Sequence, residues 1–189
     1  VATPLPDLVV PDAAAWGAWL AENAETSTGV RLALAKGGAT QPTSLVYEEA
    51  VLEALCHGWI DGQISKRDDV SYAIRMTPRR ARSNWSAVNV QRVAALEAAG
   101  RMRPRGAAEV AAAQADGRWD RAYAGSATIQ PPPELAEALA ADPAAAAAWD
   151  AMSRGDRYPW LYRMHTVKRP ETRARHIAAL LAQLRSTNP

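Results

Sequence analysis

Three groups of residues have the types and spacing to do chemistry. The first is Cys56-His57, followed at once by Gly58-Trp59-Ile60-Asp61-Gly62. The second is Pro78-Arg79-Arg80-Ala81-Arg82-Ser83-Asn84-Trp85-Ser86, with Asn89 one turn further on. The third is Lys168-Arg169-Pro170-Glu171-Thr172-Arg173-Ala174-Arg175. A carboxylate or imidazole whose proton affinity is set by burial can act as general acid or base, which makes Asp61 and His57 the catalytic candidates. Cys56 and His57 are adjacent, so on a helix they point about 100° apart and do not pair readily as nucleophile and base. A small buried thiol at a helix–sheet contact is the simpler reading of Cys56.

The second group offers anion binding. A loop that feeds a helix N-terminus presents unpaired N–H groups, and Arg, Ser and Asn beside it suit a phosphate, carboxylate or sulfate. Trp59, Asp61, Arg75, Arg79, Ser83, Trp85, Ser86 and Asn89 are therefore expected to bound a pocket for a small anionic or polar aromatic molecule. The competing reading is structural: a capped helix anchored by Trp85, and an Asp61–Arg75 or Asp61–Arg79 pair holding a corner of the fold. One cysteine and three scattered histidines show no metal-ligand spacing, and no Gly-rich phosphate loop or dinucleotide fingerprint occurs, so neither metal nor cofactor is expected. The third group resembles a nucleic-acid footprint superficially, with Tyr158, Trp160 and Tyr162 nearby. A helix start with paired arginines explains it more economically, so nucleic acid is not the expected partner.

These residues need elements to position them. Asp12 can cap a helix through Asn23 whose Trp16, Trp19 and Leu20 share a face. Val30–Lys36 alternates as a strand, and Val46–Leu55 is an amphipathic helix ended by Gly58. Trp59–Ile64 and Val70–Met76 read as strands joined by the charged turn Lys66-Arg67-Asp68-Asp69, giving about three strands in all. Trp59 and Asp61, two apart on such a strand, share a face. After Pro78 the pattern is helical: one helix capped by Ser83 or Ser86 and running through Ala99 to a stop at Gly100, one over Arg105–Gln114, and three more at Glu134–Ala140, Ala144–Met152 and Thr172–Leu184. Residues 1–11, rich in proline, read as an irregular arm. The expected fold is α+β, a small antiparallel-leaning sheet flanked by helices over residues 1–126, with a helical C-terminal subdomain over 127–189 packed on it.

Composition narrows the classes further. The chain has 189 residues, 48% of them apolar, no Phe and seven Trp, so indoles must supply the aromatic core. A single cysteine excludes an internal disulfide and fits a reducing cytoplasm. No apolar run approaches the roughly 18 residues of a membrane span, and the N-terminal residues lack the plan of a signal peptide, so a cytoplasmic location is expected. Positive charge is local. Arg75–Arg105 carries eight Arg against one Glu, and Arg154–His176 six Arg and one Lys against one Asp and one Glu. Within a formal net charge of +2, those segments favour an anionic ligand nearby. Nothing in the sequence sets an oligomeric state.

The run Ala54-Leu55-Cys56-His57-Gly58-Trp59-Ile60-Asp61-Gly62, the later Thr77-Pro78-Arg79-Arg80, Ser83-x-Trp85-Ser86-x-x-Asn89 and Gly100-Arg101-Met102, and the C-terminal Lys168-x-Pro170-Glu171-Thr172-Arg173 together resemble the YdeI/OmpD-associated bacterial family. The resemblance is read across Trp16 to Leu184. It implies a protective protein linked with bacteriocin protection and outer-membrane-associated stress, and it supplies no catalytic residue. His57 stands where that family commonly has an aromatic residue, and His176 where it commonly has Arg.

Overall fold

A computed structural model describes residues 4–187, which hold four strands and eight helices. The strands are β1 (Asp7–Leu8), β2 (Val30–Ala35), β3 (Trp59–Lys66) and β4 (Ser71–Pro78). The helices are α1 (Ala13–Asn23), α2 (Tyr47–Cys56), α3 (Ala87–Ala98), α4 (Pro104–Ala115), α5 (Pro133–Ala140), α6 (Pro143–Ala151), α7 (Arg154–Thr166) and α8 (Pro170–Thr187). The chain divides into two compact units, one of Val1–Ser83 with Asn89–Asp120 and one of Asn84–Val88 with Arg121–Pro189. The fold is α+β, with a mixed, mostly antiparallel sheet and a helical C-terminal region.

In the first unit the sheet order is β1-β2-β4-β3. The hairpin β3–β4 is closed by Asp68, whose carboxylate accepts from the backbone N–H of Val70 and Ser71 at 3.1 and 2.7 Å and from the Ser71 hydroxyl at 2.8 Å. Those bonds hold its carboxyl below the ordinary range, the Ser71 hydroxyl first among them. Two local signals act as expected. The Asp12 side chain caps α1 by accepting from Ala15 N–H at 2.9 Å, and Gly58, at φ 71°, ends the turn after α2 and sends the chain into β3.

Three of the seven tryptophans meet at the helix–sheet contact. Trp16 stacks on Trp19 at 5.3 Å between ring centroids, and Trp59 meets both edge-on at 6.2 and 5.8 Å. Two of these indoles bury their N–H groups without loss, because Trp16 donates to Ala50 O at 3.1 Å and Trp59 to Ala24 O at 3.2 Å. Helix α4 reaches the end of α2 through Gly106, where an added Cβ would stand 2.2 Å from the Cys56 carbonyl oxygen.

The second unit encloses its own core of Leu135, Leu139, Trp149, Leu161, Met164 and Leu180 with smaller neighbours. Arg173 ties three of its helices together, donating to Met164 O at 3.0 Å and pairing with Glu134 at 2.9 Å. That pairing is the role expected of the C-terminal arginines.

Two differences from expectation, at β1 and α7, have physical reasons. The irregular arm over residues 1–11 lies outside the described residues for its first three positions, and further on it contains β1, which pairs in parallel with β2 through only two residues. So short an edge strand leaves no alternation to read. Helix α3 begins at Ala87, directly after Ser86, one of the two expected caps; Ser86 is also bridged to Tyr123, and the Ala87 N–H donates to Tyr123 O at 2.8 Å. Helix α7 was not marked out by a pattern, since Pro159 and the dense polar residues of Arg154–Thr166 interrupt its periodicity.

Gly106→Ala drives a methyl into the α2 carbonyls, so we expect a loss of about 3 kcal/mol or more, read as a Tm lowered by roughly 5–10 °C. Gly125→Ala, where the added carbon meets nothing within 4 Å, should leave Tm unchanged in the same thermal melts.

Candidate functional site

Strand parity sorts the predicted residues onto two faces. In the β3–β4 register Ile60 pairs with Thr77 and Asp61 with Met76, and paired side chains point the same way. Trp59, Asp61 and Met76 therefore face the core, where Trp59 and Met76 are fully buried. Ile60, Arg75 and Thr77 face the other way. On that second face they border an open groove of about 320 Å³, completed by Gly62 and Gln63 of β3 and by Pro78, Arg80 and Ser83. The hairpin register breaks between Asp61 and Ile64, and this irregularity lies opposite Arg75. Gly62 lets the Arg75 stem lie close, the Arg75 Cβ being 3.5 Å from where a Gly62 side chain would begin.

The loop beyond β4 is built to hold Arg80 and Ser83 in place. Ser83 N–H donates to Arg80 O at 2.8 Å, and Arg80 N–H donates to the Ser83 hydroxyl at 3.1 Å. Beneath them Arg118, buried, donates to Ser83 O at 2.9 Å while its Nε is held by the Asp116 carboxylate at 2.7 Å. The groove thus carries two guanidinium groups, three neutral hydrogen-bonding side chains and, among the described lining residues, no acid. That donor set suits an anion. Of the expected pocket residues, Arg75 and Ser83 line this groove; Arg80, Thr77 and Gln63 complete it, and Arg118 supports it, without having been singled out. The hairpin register was the signal that could have found Thr77; Arg118 lies in no motif.

Asp61 takes neither expected arginine. Its Oδ2 accepts instead from the Tyr47 hydroxyl at 2.9 Å, because it leaves β3 on the side of α2. The guanidinium of Arg92 sits 5.9 Å from the Tyr47 ring centroid, pairs with Glu48 and donates to Asn89 Oδ1 at 2.8 Å. Burial first, and the neighbouring Asp61 charge second, push the Tyr47 phenol from 10.0 up to about 12. It therefore remains a donor to Asp61 and does not serve as a base near neutral pH. Asn89, nearly buried, belongs with this network and not with Ser83.

The remaining candidates are placed as follows. Trp59 lies in the indole cluster and Arg79 is nearly buried, with its backbone N–H on Gly58 O at 2.9 Å. Trp85 and Ser86 fall in the second unit, where Trp85 O accepts from Tyr123 N–H at 3.0 Å. His57 is buried at the end of α2. Burial chiefly, and Arg103 next, lower its proton affinity and favour the neutral ring. Burial and the Glu53 charge raise the Cys56 thiol, which keeps it protonated and poorly nucleophilic. Among the described residues no group of three or more His, Cys, Asp or Glu is arranged to hold a metal ion, and no helix is long and apolar enough to cross a membrane.

Residues 8–109 match a family model described as a domain of unknown function, DUF8412, over more than half of the chain. The chain belongs to this family. The DUF8412 match contains the whole groove and the Asp61–Tyr47–Arg92 network. Residues 128–186 match a second family model, described as bacteriocin-protection, YdeI or OmpD-associated. That second family suggests a bacterial protection-type protein. The resemblance read from Trp16 to Leu184 is thus carried by this family in the C-terminal helices, while the motifs between Ala54 and Asn89 lie in the DUF8412 segment. The chain matched no curated protein and no solved structure.

The Tyr47–Asp61 bond gives a pH signature. A phenol whose proton is held more tightly folded than unfolded adds stability that is complete below pH 10 and fades as pH rises toward about 12. Tyr47→Phe should flatten that alkaline decline in urea unfolding curves, and at neutral pH should cost about 0.5–1.5 kcal/mol for the lost hydrogen bond.

Proposed function

We propose that this DUF8412 protein is a cytoplasmic protective or resistance-type protein that binds a small anionic or polar aromatic molecule, and that the groove on the second face of the β3–β4 hairpin receives it. The observation that carries the reading is the convergence of Arg75 and Arg80 on Thr77, Gln63 and Ser83. Guanidinium groups supply charge and directed donors, and the neutral side chains supply orientation. The cross-strand partner of Arg75 is another cation, Arg31, itself paired with Asp7 at 3.3 Å. An anion beside Arg75 relieves that like-charge pairing.

Two alternatives fit less well. A cofactor-independent enzyme using Asp61 or His57 as acid or base needs one of them beside the substrate. Asp61 leaves β3 on the face opposite the groove, toward Tyr47, and His57 is buried. Nucleic-acid binding draws on the basic run Arg75–Arg105, yet Arg92, Arg101 and Arg105 pair with Glu48, Glu53 and Glu25. Those pairs break up the positive stripe that a phosphate backbone would follow.

The test is a thermal-shift screen against phosphate, sulfate, aromatic acids and antimicrobial natural products. A ligand at 100 times its Kd should add about 2.7 kcal/mol, a shift of roughly 5–10 °C. Arg75→Ala and Arg80→Ala should each reduce that shift, and so should added salt. A shift that survives both substitutions would remove the groove from the reading.

A further inference from the structure

The second unit contains a pocket that the proposed function does not use. It measures about 190 Å³ and opens between the 126–131 loop and helices α6 and α7. Ile129, Trp149 and Leu161, all nearly buried, form its apolar side. Arg154 and Arg157, from the first turn of α7, supply the charge.

Arg157 is held ready before any ligand arrives. Its guanidinium carbon lies 5.2 Å from the Trp149 ring centroid, and Nη2 donates to Asp150 O at 2.7 Å. The Asp150 carboxylate is a looser neighbour at 3.7 Å, four-fifths exposed, so it offsets little of the charge. The Nε–H differs from Nη2: it is buried, and no described residue supplies it with an acceptor. A buried charged donor left unmatched is costly, and because Nε has no surface open to the pocket, a planar anion offsets that cost by pairing with the part of the guanidinium that is exposed. The other acid near this turn, Asp156, is engaged by the Ser153 hydroxyl at 2.6 Å.

We propose that this pocket binds a small carboxylate joined to a single apolar ring, with the carboxylate on the Arg157 guanidinium and the ring against Ile129, Trp149 and Leu161. An aromatic acid satisfies both halves of the pocket at once. A bare inorganic anion leaves the apolar wall uncovered, and a neutral ring leaves the donor unmatched. Apart from Ser126 and Ala127, its lining lies in the segment that matches the bacteriocin-protection family, and the site stands or falls independently of the hairpin groove.

The probe is phenylacetate, titrated into the intact chain and followed by calorimetry and by ¹H–¹⁵N correlation spectra that include the arginine Nε–H and indole signals. We expect saturable binding with a Kd of about 0.1–1 mM, the range for a ligand of this size. The Arg157 Nε–H and Trp149 indole signals should move together. Phenylacetamide and acetate, each lacking one half of the ligand, should bind at least tenfold more weakly. Arg157→Gln should weaken phenylacetate at least tenfold, and Arg75→Ala should not. If Arg157→Gln fails to fold, Arg157→Lys, which keeps the charge and removes the Nε–H, replaces it. No saturable change up to about 10 mM overturns the proposal, as does equal binding of phenylacetamide or an Arg157 Nε–H signal that stays fixed while the ligand binds elsewhere.

Discussion

The first unit depends on how the chain leaves α2. Gly58 at positive φ reverses direction in one residue, and Trp59 immediately enters the indole cluster with its N–H on Ala24 O. A side chain of that size, fully buried and hydrogen-bonded at its polar atom, cannot rotate to the other side of the strand. Because side chains alternate along a strand, fixing Trp59 inward also fixes Ile60 outward and Asp61 inward. The antiparallel register then assigns Met76 to the core and Arg75 and Thr77 to the groove. One buried indole thereby decides which polar groups are available to a ligand.

That dependence explains what could be read from the sequence. Caps, helix stops and the charged turn between β3 and β4 are local signals, and Asp12, Gly58 and Asp68 act where they stand. The shared face of Trp59 and Asp61 is equally local, since it needs only period-two alternation. The partner of Asp61 is not local. Choosing between Arg75 and Tyr47 requires the hairpin register and the packing of α2 on β3, and both arise from contacts distant in sequence. Arg75 was singled out as a partner for Asp61 and Ser83 as a group beside a helix start; the hairpin register and the Arg80–Ser83 turn bring the two to one groove for reasons the sequence does not display. Arg80 has the same composition around it, and only the turn it forms with Ser83 separates it from Arg82. Arg118 acts from 35 residues away through a backbone carbonyl, a contact that residue type does not announce.

The charge pattern shows the same gap between composition and arrangement. The segment from Arg75 to Arg105 reads as a block of positive charge, yet folding hands much of it to glutamates in α2 and after α1. These pairs are partly exposed and contribute modestly to stability. Their larger effect is to remove Arg92, Arg101 and Arg105 from any continuous positive stripe while Arg75 and Arg80 remain at the groove. In the second unit, Arg173 and Arg185 are spent on Glu134 and Asp142, which leaves the first turn of α7 to carry charge toward the Trp149 pocket.

The irregular register of β3 also bears on how the protein behaves in a crowded solution. β3 is an edge strand of the sheet, opposite β1, a position that exposes unpaired backbone groups to any extended segment passing by. The break between Asp61 and Ile64 disturbs the even spacing such a segment would need, and Lys66 places a cation at the end of the same edge. The irregularity opposite Arg75 therefore discourages edge-to-edge aggregation, so the hairpin can keep its binding face open without inviting a second sheet to grow from it.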